Sequence, residues 1–406
     1  MQYYAGQDPM VIRGSDGKRR SKSRPGPVPY DDAPTVRPKG PVQFRVMVIV
    51  GTVLMVLSGL GVVGDRVFRS IANGSVNQED LLPAQMKAAG KNINGPVNIL
   101  MLGVDGQGAS AGLDHSDSII VAHVTAAHDK VYLVSLPRDT MVQVPAYPAS
   151  GYRGGTLKLT ESFAMGDMNT KGQGDDSAAG RKRGVGLLLQ AIDTFIPGIT
   201  FNAVAIINFV GFQKLVQAMG GVDMCIDERV VSVHYARNGK YMGEDIYNGP
   251  GYVYNPGCRH LQPWEALDYV RQRENLPHGD YDRQRHQQQF MAAVFKELAT
   301  AGTLTDVSKF SALKDAIGQL LTLDLNGSDV TDWIFSFKNL RPADLTMVQT
   351  NGGDYVSKDV DGKSYQVLSD DSLRLMQALK TDQIASFLAL HPTWITNSGA
   401  TTAPAA

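Results

Sequence analysis

Between Tyr269 and Phe290 the chain gathers Arg271, Arg273, Arg283, Arg285 and His286, with Asp280, Asp282 and a run of glutamines that includes Gln287. Guanidinium groups held that close repel: at about 4 Å and an effective dielectric of about 20, each like-charge contact costs about 4 kcal/mol. An anion lying between them removes the repulsion, and the planar forks match phosphate oxygens two bonds at a time. Arg271 and Arg273, two apart, share a face of extended backbone. Arg283 and Gln287, four apart, share a face of a helix. The turn NLPHGDYD between them lets strand and helix fold back on each other, so a phosphate or pyrophosphate site is expected. Arg285 should turn away and pair with a surface acid. The plain alternative is a solvated charged face, the usual meaning of an isolated charge run.

A second group lies upstream. Asp105 ends the apolar run NILMLGVD, and the carboxyl ends of strands are where open α/β sheets place ligands. If Ser118–Val124 and Val131–Leu136 form a hairpin, Asp117 falls opposite Arg138. Two carboxylates and an arginine would then meet at one sheet edge. A divalent cation is a common reason to tolerate two neighbouring acids, and oxygen ligands with room for water and phosphate suit Mg²⁺.

The elements that must carry these residues alternate. Short β-branched or apolar runs (Asn98–Asp105, Ser118–Val124, Lys130–Asp139, and FNAVAIINF) are interspersed with helical patterns. Helices are expected over Val185–Ile196, over VGFQKLVQAMGG with a stop at Gly220 and Gly221, and from DYDRQRHQQQF through Leu298. Further helices are expected over Val330–Asn339 and Ser372–Leu390, around the strand LTMVQT. This alternation reads as a layered α/β domain with a mixed sheet.

The chain has 406 residues and a formal net charge of -1, which gives no general attraction to nucleic acid. Residues 1–45 are basic, rich in Pro, Gly and Ser, and expected to be disordered. Residues 46–64 carry no charge and are long enough, at about 28 Å of helix, to span a bilayer. The basic flank places the N-terminus in the cytoplasm and the remainder outside the cell membrane, as a single-pass protein. A linker or stalk is expected over 65–95, the folded domain over 96–392, and a disordered tail over 393–406. The two cysteines, Cys225 and Cys258, have no zinc-type spacing; an oxidising exterior favours a disulfide, with two unrelated buried thiols as the alternative.

NILMLGVD, HSDS, SLPRDT, GFQKLVQAMGGVDMC, ALDYVRQRE and DYDRQRHQQQF follow one another in an order that resembles the LytR-CpsA-Psr family. The resemblance spans Asn98 to Leu298 and the apolar anchor before it. It implies a three-layer α/β/α domain with a central mixed sheet, preceded by a single transmembrane helix and lying outside the membrane. It also implies an enzyme that moves a glycopolymer from a polyprenyl-pyrophosphate carrier to peptidoglycan, with Mg²⁺ at the pyrophosphate. Asp105 and Asp117 match the family's metal-associated acids, and Arg138, Arg271, Arg273, Arg283 and Gln287 its pyrophosphate-contacting residues. His115 stands where the family usually has arginine, Ser118 where it has threonine, and His286 where arginine is frequent. A histidine still donates to phosphate when protonated, and either one is equally readable as a neutral structural residue.

The implied reaction is attack by a peptidoglycan hydroxyl, by resemblance the muramic acid C6 hydroxyl, on the glycan-side phosphorus. Asp105, Asp117, Arg138, Arg271 and Arg273 are the expected catalytic set; either acid, or a water on the metal, could take the proton. The apolar stretches Leu187–Ile196 and Val204–Phe212 are core or a groove for the lipid. Rival readings are a lipid-pyrophosphate hydrolase, a noncatalytic lipid-pyrophosphate binder, and a membrane-tethered regulator using KRRSKSRP on nucleic acid. The last has no folded reader in its favour.

Overall fold

A computed structural model describes residues 77–396 except 91–92, 107–112, 170, 244–249, 301–320 and 338. The expected basic tail (1–45), the membrane helix (46–64), the first part of the stalk and residues 397–406 lie outside the described residues. Among the described residues no helix is long and apolar enough to cross a membrane.

In chain order the elements are β1 (Asn77–Gln78), β2 (Val97–Val104), β3 (Ser116–Val124), β4 (Val131–Ser135), β5 (Met141–Val144), β6 (Gly155–Lys158), α1 (Leu159–Asp167) and α2 (Ala178–Asp193). They continue with β7 (Ala203–Asn208), α3 (Phe209–Met219), β8 (Val222–Ile226), β9 (Val230–Ala236), β10 (Gly251–Tyr254), β11 (Gly257–Leu261), α4 (Pro263–Arg271) and α5 (Asp280–Thr300). The last are β12 (Leu321–Asp324), α6 (Val330–Ser336), β13 (Leu345–Gln349), β14 (Ser357–Val360), β15 (Lys363–Gln366), α7 (Asp370–Lys380) and α8 (Ile384–Leu390).

Seven strands form one mixed sheet in the order β1-β12-β7-β2-β3-β4-β13. β2 runs parallel to β7 and antiparallel to β3, and β4 runs parallel to β13. Alternation along β2 sends Val97, Ile99 and Met101 to one face and Leu100, Leu102 and Val104 to the other. The first face packs on α3, α4, α5 and α6, the second on α1, α2, α7 and α8. Both faces are apolar because both are covered, as the uninterrupted hydrophobic runs require.

The helix ends that matter have local causes. The Asn208 side chain accepts from Gly211 N at 2.8 Å and starts α3, and Gly220 closes it with a left-handed φ of 77°. α4 begins at Pro263, with Glu265 reaching back to Gln262 N at 2.8 Å. This start signal, followed by Ala266, Leu267, Tyr269 and Val270 at helical spacing, makes Arg271 a helical residue. The expectation that Arg271 and Arg273 lie on one extended strand is therefore corrected: the pair straddles a helix end, with Gln272 extended between them (φ −63°, ψ 130°). The single helix expected over Ser372–Leu390 is broken into α7 and α8, with Asp382 in the left-handed region at φ 57°.

Part of the expected stalk is folded in. β1 pairs with β12, Leu81 and Leu82 are buried, and the Asp324 carboxylate accepts from both their amides at 2.8 Å. At the other end Trp394 is buried and Thr396 N donates to Met347 O at 3.0 Å. Cys225 and Cys258 face each other across β8 and β11 and are disulfide-bonded. With the two 33 positions apart in sequence, reduction is expected to cost about 3–4 kcal/mol by loop-closure entropy. Urea unfolding with and without a reductant measures it.

Candidate active site

At the carboxyl ends of β2 and β7 a cavity of about 270 Å³ opens between the sheet and helices α3, α4 and α5. Its polar lining includes Asp117, Ser118, Arg138, Arg271, Arg273, Arg283 and Gln287. Its apolar lining includes Met101 and Ile120 of the sheet, Ile207, Phe212 and Leu215, and Phe290, Met291 and Val294 of α5. Phe212 and Phe290 stack at 4.4 Å between ring centroids.

The β3–β4 hairpin forms as the sequence predicts, with Ile120 opposite Ser135. Continuing that register brings Asp117 to Arg138, whose Nη1 donates to Asp117 Oδ1 at 2.5 Å. Arg283 Nη2 donates to the Asp117 carbonyl at 2.8 Å and lies 2.7 Å from Asp280 Oδ1. Asp280 also stands 3.8 Å from Arg138 Nε, so one buried acid holds two arginines beside the cavity. Burial alone would push the Asp117 carboxyl up, but Arg138 and Arg283 outweigh it and hold the pKa below its ordinary value. The buried Nε atoms of Arg138 and Arg283 have no hydrogen-bond acceptor among the described residues. Buried donors are normally satisfied; the Arg138 Nε faces the carboxylates of Asp280 and Asp139 at 3.8 and 4.0 Å, beyond hydrogen-bond distance.

Arg271 lies over the Phe209 ring, 4.4 Å from its centroid, at the junction of polar and apolar lining. Gln287 accepts from Ser118 Oγ at 2.9 Å and donates to Val270 O at 3.3 Å, tying β3, α4 and α5 together. Asp105 and His115 are not in the cavity lining. They form an adjoining pair in which His115 N donates to Asp105 Oδ1 at 2.6 Å, with the imidazole 3.8 Å from the same carboxylate. Burial and, more weakly, the charge of Asp117 raise the Asp105 pKa.

His286 is elsewhere. It is fully buried, stacked on Tyr269 at 4.4 Å, with Nε2 3.3 Å from Glu228. Of its two readings, the structure supports the packed one. Arg285 turns away from the cavity as expected, bridging Asp227, Glu228 and Asp282. Asp227, Glu228 and His286 lie close enough to hold a metal ion, but the Arg285 guanidinium already serves both acids. Of the two apolar stretches read as core or groove, Leu187–Ile192 is buried on the far face of the sheet, whereas Ile207, Phe209 and Phe212 line the cavity.

Sequence reasoning missed the helix cap at Asn208 and the part played by Asp280. The strand-to-helix junction in AIINFVGF signalled the first, and the i, i+3 spacing of Asp280 and Arg283 the second. It also missed a second cavity of about 290 Å³ lined by Asp114, Asp167 and Asp176. Burial, then Asp176, Asp105 and Asp167, push Asp114 up to about 7, and Asp167 is raised to about 6, chiefly by burial. The folded chain therefore keeps protons that the unfolded chain releases from about pH 4 upward, and stability falls as pH rises toward 7. Asp114→Asn is expected to stabilise the fold by a margin that grows from pH 5 to pH 8. Solvent screening limits the gain to about 1 kcal/mol. Urea titrations at the two pH values, in EDTA, check it.

Residues 67–382 match the LytR_cpsA_psr family. The chain belongs to that family. It is 26% identical over 339 residues to the cell wall biosynthesis protein LcpA of Corynebacterium glutamicum, an alignment covering 79% of this chain and 62% of LcpA. To the Enterococcus faecalis polyisoprenyl-teichoic acid–peptidoglycan teichoic acid transferase TagU it is 25% identical over 337 residues, covering 82% of this chain and 95% of TagU. Its fold is similar to the crystal structure of a Streptococcus agalactiae protein, with a TM-score of 0.57 at 22% identity over 73% of this chain and 91% of the other. Within this LytR_cpsA_psr domain, residues 67–382 contain every side chain of the arginine-lined cavity.

Proposed function

We propose that the chain is a phosphotransferase that moves a glycopolymer from a polyprenyl-pyrophosphate carrier onto peptidoglycan, outside the cytoplasmic membrane and anchored by residues 46–64. One observation carries the reading: a single cavity joins Arg138, Arg271, Arg273 and Arg283 to an apolar lining of Ile207, Phe212 and Phe290. A diphosphate ester of a long hydrocarbon has that division of charge. The family membership and the names of LcpA and TagU, a cell wall protein and a teichoic acid transferase, support the same chemistry.

In the reaction a peptidoglycan hydroxyl attacks the glycan-side phosphorus. The new phosphodiester forms as the bond from that phosphorus to the bridging oxygen breaks, and polyprenyl monophosphate leaves with the electron pair. The hydroxyl proton passes to a carboxylate or to solvent. The arginines hold the non-bridging oxygens and meet the charge that develops on the leaving phosphate, where preorganised donors act most strongly. The side chains also suit Mg²⁺: Asp105 and Asp117 are close enough for one charge to raise the other's pKa, and both offer hard oxygen ligands. Those two acids would hold the ion, which when bound shares in neutralising the diphosphate.

The test is incubation of the protein with a labelled polyprenyl-pyrophosphate glycan and purified peptidoglycan. Label bound covalently to peptidoglycan, with one polyprenyl phosphate released per glycan, is the expected result. Release of the glycan to water instead would make the protein a hydrolase, and binding without release would make it a carrier.

A further inference from the structure

Gln272, between the two cavity arginines, is fully buried although it is a polar residue at the end of a helix. Its side-chain amide is completely used. Oε1 accepts from Val233 N of β9 at 3.0 Å, and Nε2 donates to Asp268 Oδ1 at 2.6 Å and to Asp268 O at 3.1 Å. The Asp268 carboxylate is 1% exposed and collects two more donors, Ser232 Oγ at 3.1 Å and Tyr254 OH at 2.7 Å, while His234 Nδ1 lies 2.8 Å from Asp268 Oδ1 and 2.9 Å from Gln272 Nε2. The last turn of α4 is thus tied to β9 by a dense buried hydrogen-bond network, which in a low-dielectric interior is rigid.

A helix C-terminus left to itself frays, because its last carbonyls lack partners. Arg271 occupies that last turn and Arg273 follows it. Gln272 is extended at the helix end and held inward by its bonds, and Arg271 before it and Arg273 after it both line the cavity. His234 lines it as well, so the network reaches the cavity wall.

We propose that Gln272 is a positioning residue of the diphosphate site, which sets the angle between Arg271 and Arg273 through its buried bonds to Asp268 and β9. The inference rests on the pyrophosphate reading above and adds to it the device that preorganises the arginine pair.

The experiment measures inorganic pyrophosphate binding by calorimetry on the wild-type protein, Gln272→Met, Arg271→Ala/Arg273→Ala, and the triple variant, with thermal melts of each. Methionine keeps the shape and removes the hydrogen bonds. Gln272→Met is expected to weaken binding about tenfold, and to add less than about twofold when the two arginines are already gone, the non-additivity of residues acting through one another. Ser232→Ala removes one Asp268 donor more gently; it is expected to weaken binding about threefold and to lose that effect in the same double-alanine background. It serves if Gln272→Met does not fold. Wild-type binding with a melt shifted in either variant would make the network purely structural and overturn the proposal. So would an equal loss with and without the arginines. A wild-type protein that ignores pyrophosphate sinks the underlying reading too, whereas loss in the double-alanine variant with a neutral Gln272→Met sinks the positioning role alone.

Discussion

Arg138→Ala is expected to lower the turnover of glycan transfer by about 10²- to 10³-fold, the usual cost of removing one preorganised donor from a developing oxyanion. It is also expected to destabilise the fold. Arg138 is 18% exposed and lies 2.5 Å from Asp117, 3.8 Å from Asp280 and 4.0 Å from Asp139. Deleting it leaves those carboxylates partly uncompensated; the pair is only partly buried and Arg283 and Lys158 remain beside the acids, so the expected cost is about 1–3 kcal/mol. The sign with pH follows from Asp117, whose folded pKa is depressed. Its ion pair stabilises the fold above the unfolded carboxylate value near about pH 4 and is lost as pH falls through the folded value. The stability gap between wild type and Arg138→Ala should therefore be widest near neutrality and close below about pH 4. Arg138→Lys, which keeps the charge and loses the fork, is expected to recover stability more than turnover. Single-turnover kinetics and urea titrations at two pH values read both effects; full turnover in Arg138→Ala would remove this residue from the chemistry.

What could be read from the sequence follows from the range of the interaction that decides it. The β3–β4 register was legible because two β-branched runs and a polar turn admit few pairings, and it placed Asp117 on Arg138. The end of α3 was legible because only glycine enters the left-handed region without strain, as Gly220 does. The fate of Arg285 followed from its position two residues beyond Arg283 on a helix. The helical conformation of Arg271 was set by the Pro263 and Glu265 start signal a few residues upstream, which the extended reading overlooked. Other outcomes depended on partners distant in sequence: the folded part of the stalk was decided by Asp324, which is 242 residues from Leu82. The burial of His286 depended on the Tyr269 ring from a different helix. The acidic cavity gathers Asp114, Asp167 and Asp176 from three separate segments, and nothing local in any of them announces it. The two arginine pairs were visible as charge; the apolar lining that makes the cavity suitable for a lipid became visible only once α3 and α5 were placed.

That lining supports the second large prediction. Ile207 is partly buried, sits at the carboxyl end of β7 and lines the cavity beside Phe212 and Phe290. Ile207→Trp is expected to fill part of the roughly 270 Å³ space with an indole ring. Each methylene kept out of an apolar site forfeits about 0.8 kcal/mol, so excluding about half of one five-carbon isoprene unit should already raise KM for the polyprenyl substrate about 30-fold, and excluding a whole unit about 10³-fold. Inorganic pyrophosphate, which needs only the arginines, should bind as tightly as to wild type. A substrate with a shortened prenyl chain should lose less than the full-length one, which distinguishes a blocked slot from general overpacking damage, a cost of about 1–3 kcal/mol that would show in the thermal melt. If full-length and shortened substrates suffer equally while the melt is unchanged, the hydrocarbon binds somewhere other than between β7, α3 and α5. The arginine cluster would then hold a diphosphate whose lipid lies against a different surface.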